Sequence, residues 1–290
     1  MEPIVLQNTT EEGALLSATF LPSSGMNLIS YKKDQQEVID QTTRQAFAER
    51  FSGLGPVIGP HFFRMQPFLV AKPVRKDLFP HIERVFARGQ TDPYSHGIGR
   101  YVPWTYEASS QKIEAHLTGN ATYKGAPIKD LEGYDFSMNM LVQLEKDGLS
   151  IAMSASADKE CVTGLHYYYA LEEKKGRIKG PIQTVYNNQG AFEKIPSSWL
   201  EKEQQMLNFD LSAFADYGFL PPFEDSSSWM ALQTGNRSVK VSYQGKTDGV
   251  SCQIYSPKGA SFVCIEPIGA KNPRRLDSAT SSFTAKITIL

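Results

Sequence analysis

The chain has 290 residues, with 30 Lys and Arg against 31 Asp and Glu, a formal net charge of −1. Near-balance without a long run of one sign excludes an electrostatic case for a nucleic-acid or anionic-membrane partner. The length allows two average domains or one large all-β domain, and either buries a sizeable core.

The opening MEPIVLQNTTEEGALL has no basic stretch leading into an apolar core. No apolar run approaches the roughly 20 residues of a membrane span, so the chain reads as soluble and cytoplasmic. The sequons at Asn8, Asn120 and Asn236 are then chance matches. Residues 41–51, QTTRQAFAERF, form the first convincing helix.

Further along, short strands alternate with turns. FSMNMLVQL sets Phe136, Met138, Met140, Val142 and Leu144 on one face, the period-two pattern of a half-buried strand. Asp147-Gly148 then turns the chain into LSIAMSASA, because glycine tolerates the positive φ of a tight hairpin. HYYYALEE turns similarly at Lys175-Gly176. Residues 196–207, PSSWLEKEQQML, have a serine cap and a charged face and predict a second helix. SVKVSYQG turns at Gly245, and VSCQIYSP leads through Lys258-Gly259 into SFVCIEPIGA. The alternating FTAKITIL reads as a terminal strand paired inside a sheet. No linker composition and no fixed-period repeat divides the chain. The expectation is an all-β protein, one large antiparallel β-sandwich over residues 1–290 with a few short helices.

Cys161, Cys252 and Cys264 lack metal-ligand spacing and are odd in number, which fits reduced, buried thiols. None of the five histidines is spaced in sequence as a metal ligand, so no metal is expected. No phosphate-binding Gly-rich loop or G-x-S-x-G elbow is present, and dinucleotide binding and serine hydrolysis have no support. In SFVCIEPIGA, Phe262, Cys264 and Glu266 share one face of a strand, with Val263 and Ile265 on the other. A carboxylate among apolar groups has a raised pKa or a partner, as a general base needs. The more ordinary reading of this stretch by itself is an edge position, with the strand ending at Pro267 and the carboxylate reaching solvent. Trp104, Tyr106, Tyr167, Tyr168 and Tyr169 beside charged hydrogen-bonders suit a sugar, apolar on its ring faces and polar at its edges. An aromatic sandwich core accounts for the same residues.

Taken together, these segments resemble the aldose 1-epimerase (galactose mutarotase) superfamily from about Leu15 to Leu290. GLGPVIGPHFFR is similar to the segment ending in a substrate-contacting arginine, here Arg64. HGIGRYVPW is similar to the His-Gly-x-x-Arg-x-x-x-Trp segment and gives His96, Arg100 and Trp104. TGLHYYY resembles the segment of the catalytic histidine, His166, with Tyr167 standing where the family has proline. ADYGFLP points to Asp216 as the site aspartate, with Asp210 in NFDLSAF competing for the slot. FVCIEP resembles the segment of the catalytic glutamate, Glu266.

The resemblance implies a galactose mutarotase-like supersandwich that interconverts α and β anomers of an aldohexose without a cofactor. Glu266 would take the C1 hydroxyl proton while His166 protonates the ring oxygen. His96, Arg64, Arg100 and Asp216 would hold the sugar hydroxyls. A hexose 6-phosphate is the other candidate substrate, its phosphate clamped by Lys271, Arg274 and Arg275 or by Lys72, Arg75 and Lys76. A non-catalytic carbohydrate-binding protein on the same fold is the alternative from a different class.

Overall fold

The computed structural model describes residues 2–64, 70–71, 74–201, 206–222, 227–245 and 249–290. They form a β-sandwich of a nine-stranded and an eight-stranded antiparallel sheet, flanked by a four-stranded sheet near the N-terminus and a two-stranded ribbon. The hairpin Phe136–Glu145 and Gly148–Ala157 lies in the nine-stranded sheet, with Glu145 opposite Gly148 at the turn. The terminal strand Thr280–Ile289 is interior to the same sheet, between Gly148–Ala157 and Arg237–Gly245. Its alternation therefore has a cause: Phe283, Ala285, Ile287 and Ile289 face the core and the residues between them do not.

One apolar cluster runs from Leu6 to Ile289 and includes residues of both large sheets. The four-stranded sheet is tied on by the buried hydroxyl of Tyr31, which donates to the Ile287 carbonyl at 3.1 Å. The three cysteines are free and buried, and burial pushes the Cys161 thiol up to about 11. No helix among the described residues is long and apolar enough to cross a membrane.

Helices are short. Residues 41–51 form a 3-10 turn, Gln41–Thr43, capped by the Asp40 carboxylate, then α1, Arg44–Arg50. Two more, α2 (His81–Ala87) and α3 (Ile128–Glu132), had no clear sequence signal. The helix expected over residues 196–207 is not formed. Ser197–Trp199 is a single 3-10 turn, residues 202–205 lie outside the described residues, and Met206–Asp210 is a strand. The reason is pairing: Leu200 bridges to Leu207, and Leu207 is buried opposite Gly180, so sheet contacts outweigh helix propensity. The turn at Lys175-Gly176 is also not a hairpin. Tyr167–Ala170 belongs to the eight-stranded sheet and Arg177–Pro181 to the nine-stranded one, so the chain crosses the sandwich there.

Candidate active site

The strand Phe262–Ile268 lies inside the eight-stranded sheet, and this decides the surroundings of Glu266. It does not end at Pro267, which continues the pairing opposite Cys252, so the solvent-edge reading of Glu266 is overturned. Glu266 is 1% exposed. On the other side, Gly164 faces Ile268 and Tyr167 faces Ile265, a register that puts His166 directly opposite Glu266. Proline has no N–H to give a ladder, and the pairing opens at this point. His166 donates its own backbone N–H to the Pro56 carbonyl at 2.9 Å instead. Its Nε2 lies 3.3 Å from Glu266 Oε1.

Residues in register across an antiparallel sheet share a face. Gln253 is opposite Glu266 on the next strand, and Gly218 is opposite Gln253 on the one after. Alternation adds Tyr168, Tyr255, Phe262 and Asp216 to the same face. These residues floor a cleft of about 640 Å³ whose walls include Phe62, His96, Arg100, α1 and α2. That volume falls within the range of about 300–1,000 Å³ usual for small-molecule sites. A hollow of similar size, about 650 Å³, lies on the nine-stranded sheet, but among the described residues its charged lining is Lys286 alone.

Asp216 accepts from Gln253 Nε2 at 2.9 Å and sits 3.5 Å from Arg274 Nη2. Asp210, its competitor in sequence, is exposed in the nine-stranded sheet and pairs with Arg177 at 3.7 Å. Arg100 is buried; its Nε donates to the Val57 carbonyl at 3.2 Å and its Nη2 has no hydrogen-bond partner among the described residues. His96 Nδ1 lies 2.9 Å from Ser95 Oγ, and its ring meets His166 edge-on at 5.0 Å. His166 in turn stacks on Tyr168 at 5.1 Å.

Burial pushes Glu266 well above the ordinary carboxylate value; Asp216 adds to this, while Arg100 and Arg274 oppose it. Burial and Arg100 together push His166 well below the ordinary histidine value, and His96 follows for the same reasons. The floor thus holds a carboxyl and an imidazole, 3.3 Å apart, whose proton affinities burial displaces in opposite senses. Paired titratable groups displaced in opposite senses are what acid–base chemistry uses.

Arg64 is not brought to the cleft. Its guanidinium pairs with buried Glu132, and its backbone N–H donates to Asp92 Oδ2 at 2.9 Å. His61 completes this cluster, with Nδ1 2.6 Å from Glu132 and Nε2 3.0 Å from Asp92. Both ring nitrogens face carboxylates, so both carry protons. Burial opposes the charge, but the two carboxylates outweigh it and raise the His61 pKa. Glu132 also accepts from the Ile98 N–H at 3.1 Å, which anchors the turn carrying His96 and Arg100. Trp104 is likewise internal: it is buried and donates from Nε1 to the Gly99 carbonyl at 2.8 Å.

Gly97 lets this segment close on the one before it. At φ +85 it sits against Gly59, where an added Cβ would come within 2.0 Å of the Gly59 oxygen. Gly97→Ala is expected to cost at least about 1–3 kcal/mol from backbone strain alone. A lower urea midpoint than that of the wild type would report the loss.

Sequence reasoning missed Gln253, Tyr168 as the cleft-facing member of its tyrosine run, and the His61, Asp92 and Glu132 cluster. Strand parity from Glu266 and His166 carried a signal for the first two, given the register. Nothing local marked the third.

No protein-family model matches the chain, and none of the curated proteins does. Solved structures do match over the full length. A galactose mutarotase-like protein from Lactobacillus casei has a TM-score of 0.70 at 14% identity, covering 100% of both chains. A galactose mutarotase related enzyme from Lactobacillus acidophilus has a TM-score of 0.66 at 12% identity, covering 100% of this chain and 97% of its own. A galactose mutarotase-like protein from Clostridium acetobutylicum has a TM-score of 0.63 at 14% identity, covering 99% and 98%. Likeness at this identity speaks for the architecture, and on it the chain has the galactose mutarotase-like fold.

Proposed function

We propose that the cleft interconverts the α and β anomers of an aldohexose by acid–base opening of its ring. The observation that carries this reading is the buried His166–Glu266 pair, 3.3 Å apart on the floor of a polar cleft. Glu266 takes the proton of the C1 hydroxyl while His166 gives one to the ring oxygen. The C1–O5 bond breaks, the aldehyde rotates about C1–C2, and closure on the other face returns both protons. Opening starts with the shared proton on His166 and ends with it on Glu266, the arrangement that burial favours. Arg100 draws down the pKa of both Glu266 and His166, which favours the ionised carboxylate as base and the imidazolium as a stronger acid. Its free Nη2, with Asp216, Gln253 and His96, offers hydrogen bonds to the remaining hydroxyls. Arg64, committed to Glu132, has no part in this contact.

The test is anomer exchange of freshly dissolved α-glucose and α-galactose, followed by polarimetry or NMR in a weakly catalytic buffer. Acceleration by the wild type that is lost in His166→Asn supports the reading. No acceleration with any sugar, together with sugar binding unchanged in Glu266→Gln, would make the protein a binding module.

A phosphorylated substrate has one specific observation in its favour. Arg50 and Arg88 line the cleft and form no ion pair among the described residues, whereas Arg84 is held by Glu49 at 3.3 Å. The basic residues suggested by sequence are placed differently. Arg274 is tied to Asp216, Arg75 to Asp77, and Lys72 lies outside the described residues. Lys76, Lys271 and Arg275 are absent from the described cleft lining. If the arginines serve a phosphate, glucose 6-phosphate should be preferred over glucose, with the preference falling as salt rises and disappearing in Arg50→Ala/Arg88→Ala. Equal rates for both sugars at low salt would leave the free hexose as substrate.

A further inference from the structure

We propose that His96, His166 and Glu266 form a site for a divalent transition-metal ion such as Zn²⁺, bound in competition with the sugar. The three residues come from separate parts of the fold: the turn held by Glu132, the break between two strands, and the strand Phe262–Ile268. Their ligand atoms all lie within 4.8 Å of one another. A tetrahedral zinc with bonds of about 2.1 Å needs ligand atoms about 3.4 Å apart. The His166–Glu266 edge is 3.3 Å, so the remaining adjustment falls to His96, a partly buried side chain at the cleft wall.

Two imidazoles and one carboxylate leave coordination positions open toward the cleft, the pattern of sites that keep water or a ligand on the metal. Outer-sphere support is present for His96, whose Nδ1 meets Ser95 Oγ at 2.9 Å and leaves Nε2 for the metal. His166 is held by its stacking on Tyr168 and edge contact with His96. Among the described residues the cleft lining carries Arg50, Arg84, Arg88, Arg100 and Arg274 against Glu49, Asp92, Asp216 and Glu266. The lining offers no surplus of negative charge to a cation, which argues for reversible rather than tight binding.

The experiment measures metal uptake without sugar, so its outcome is independent of the exchange reaction. Zn²⁺ titration by calorimetry and the visible absorption of Co²⁺ are compared in the wild type, His96→Asn, Glu266→Gln and the surface control His116→Asn, with each fold checked by circular dichroism. One equivalent in the wild type and the control, weakened at least tenfold in both site variants, is the expected result. No stoichiometric uptake, or uptake equal in all four proteins, would overturn the site. Where exchange is measurable, Zn²⁺ should raise the apparent KM for sugar and EDTA should restore it; stoichiometric binding that leaves KM unchanged would overturn the competition.

Discussion

Glu266→Gln is expected to lower anomer exchange by about 10²- to 10⁴-fold, the usual contribution of one positioned acid or base, and at the same time to stabilise the protein at alkaline pH. The second effect follows from the first-named cause of its displaced pKa, burial. A folded-state value above the unfolded one means that proton-linked stability is fully present below the ordinary carboxylate pKa and lost as pH rises through the folded value. Each tenfold difference in proton affinity between folded and unfolded chain corresponds to about 1.4 kcal/mol. Glutamine does not titrate. Thermal melts of the two proteins should therefore nearly coincide near pH 4 and diverge as pH rises, with the variant the more stable. A variant that is less stable at every pH would show that the carboxylate is held by its neighbours rather than strained by burial, and the case for it as a proton-transfer group would weaken.

Glu132→Gln is expected to be among the most destabilising single changes, by about 3–5 kcal/mol, because it leaves His61 and Arg64 charged and buried with too little opposing charge. Urea denaturation at neutral pH reads the loss. The pH dependence of the wild type carries the same information. Burial acts to raise Asp92 and Glu132, but the His61 charge, aided by Arg64, holds both below their ordinary values. Their contribution is thus present above the unfolded carboxylate range and lost as pH falls through the folded values. His61 is raised, so its contribution is present below the ordinary histidine value and lost as pH rises through the folded one. Stability should pass through a maximum between these limits. A change at Glu132 of less than about 1 kcal/mol, the level at which surface pairs contribute, would mean that the cluster is more hydrated than its burial indicates.

Much of the architecture was legible because it rests on local rules. Period-two alternation and glycine turns identified the Phe136–Glu145 and Gly148–Ala157 hairpin and the interior place of Thr280–Ile289. Residues 196–207 failed because a serine cap and charged residues describe a helix only while nothing competes, and Leu207 had a strand partner. Lys175-Gly176 carried a true turn signal that says nothing about which sheet receives the chain.

The cleft divides along the same line. The amino-acid sequence alone determined the alternation that puts Phe262, Cys264 and Glu266 on one face, and the ordered segments that singled out His166, His96, Arg100 and Asp216. Only the tertiary structure decided that Glu266 is interior rather than at an edge, since that depends on strands on both its sides. It alone separated Asp216 from Asp210 and removed Arg64 and Trp104 from the cleft, because a side chain's partners come from distant segments that register and packing bring together. The proposed metal ligands are the sharpest case: His96, His166 and Glu266 lie 70 and 100 positions apart along the chain and have side-chain ligand atoms within 4.8 Å of one another in the fold. Spacing in sequence can reveal a metal site only when its ligands share a local element, and here three separate elements supply one each.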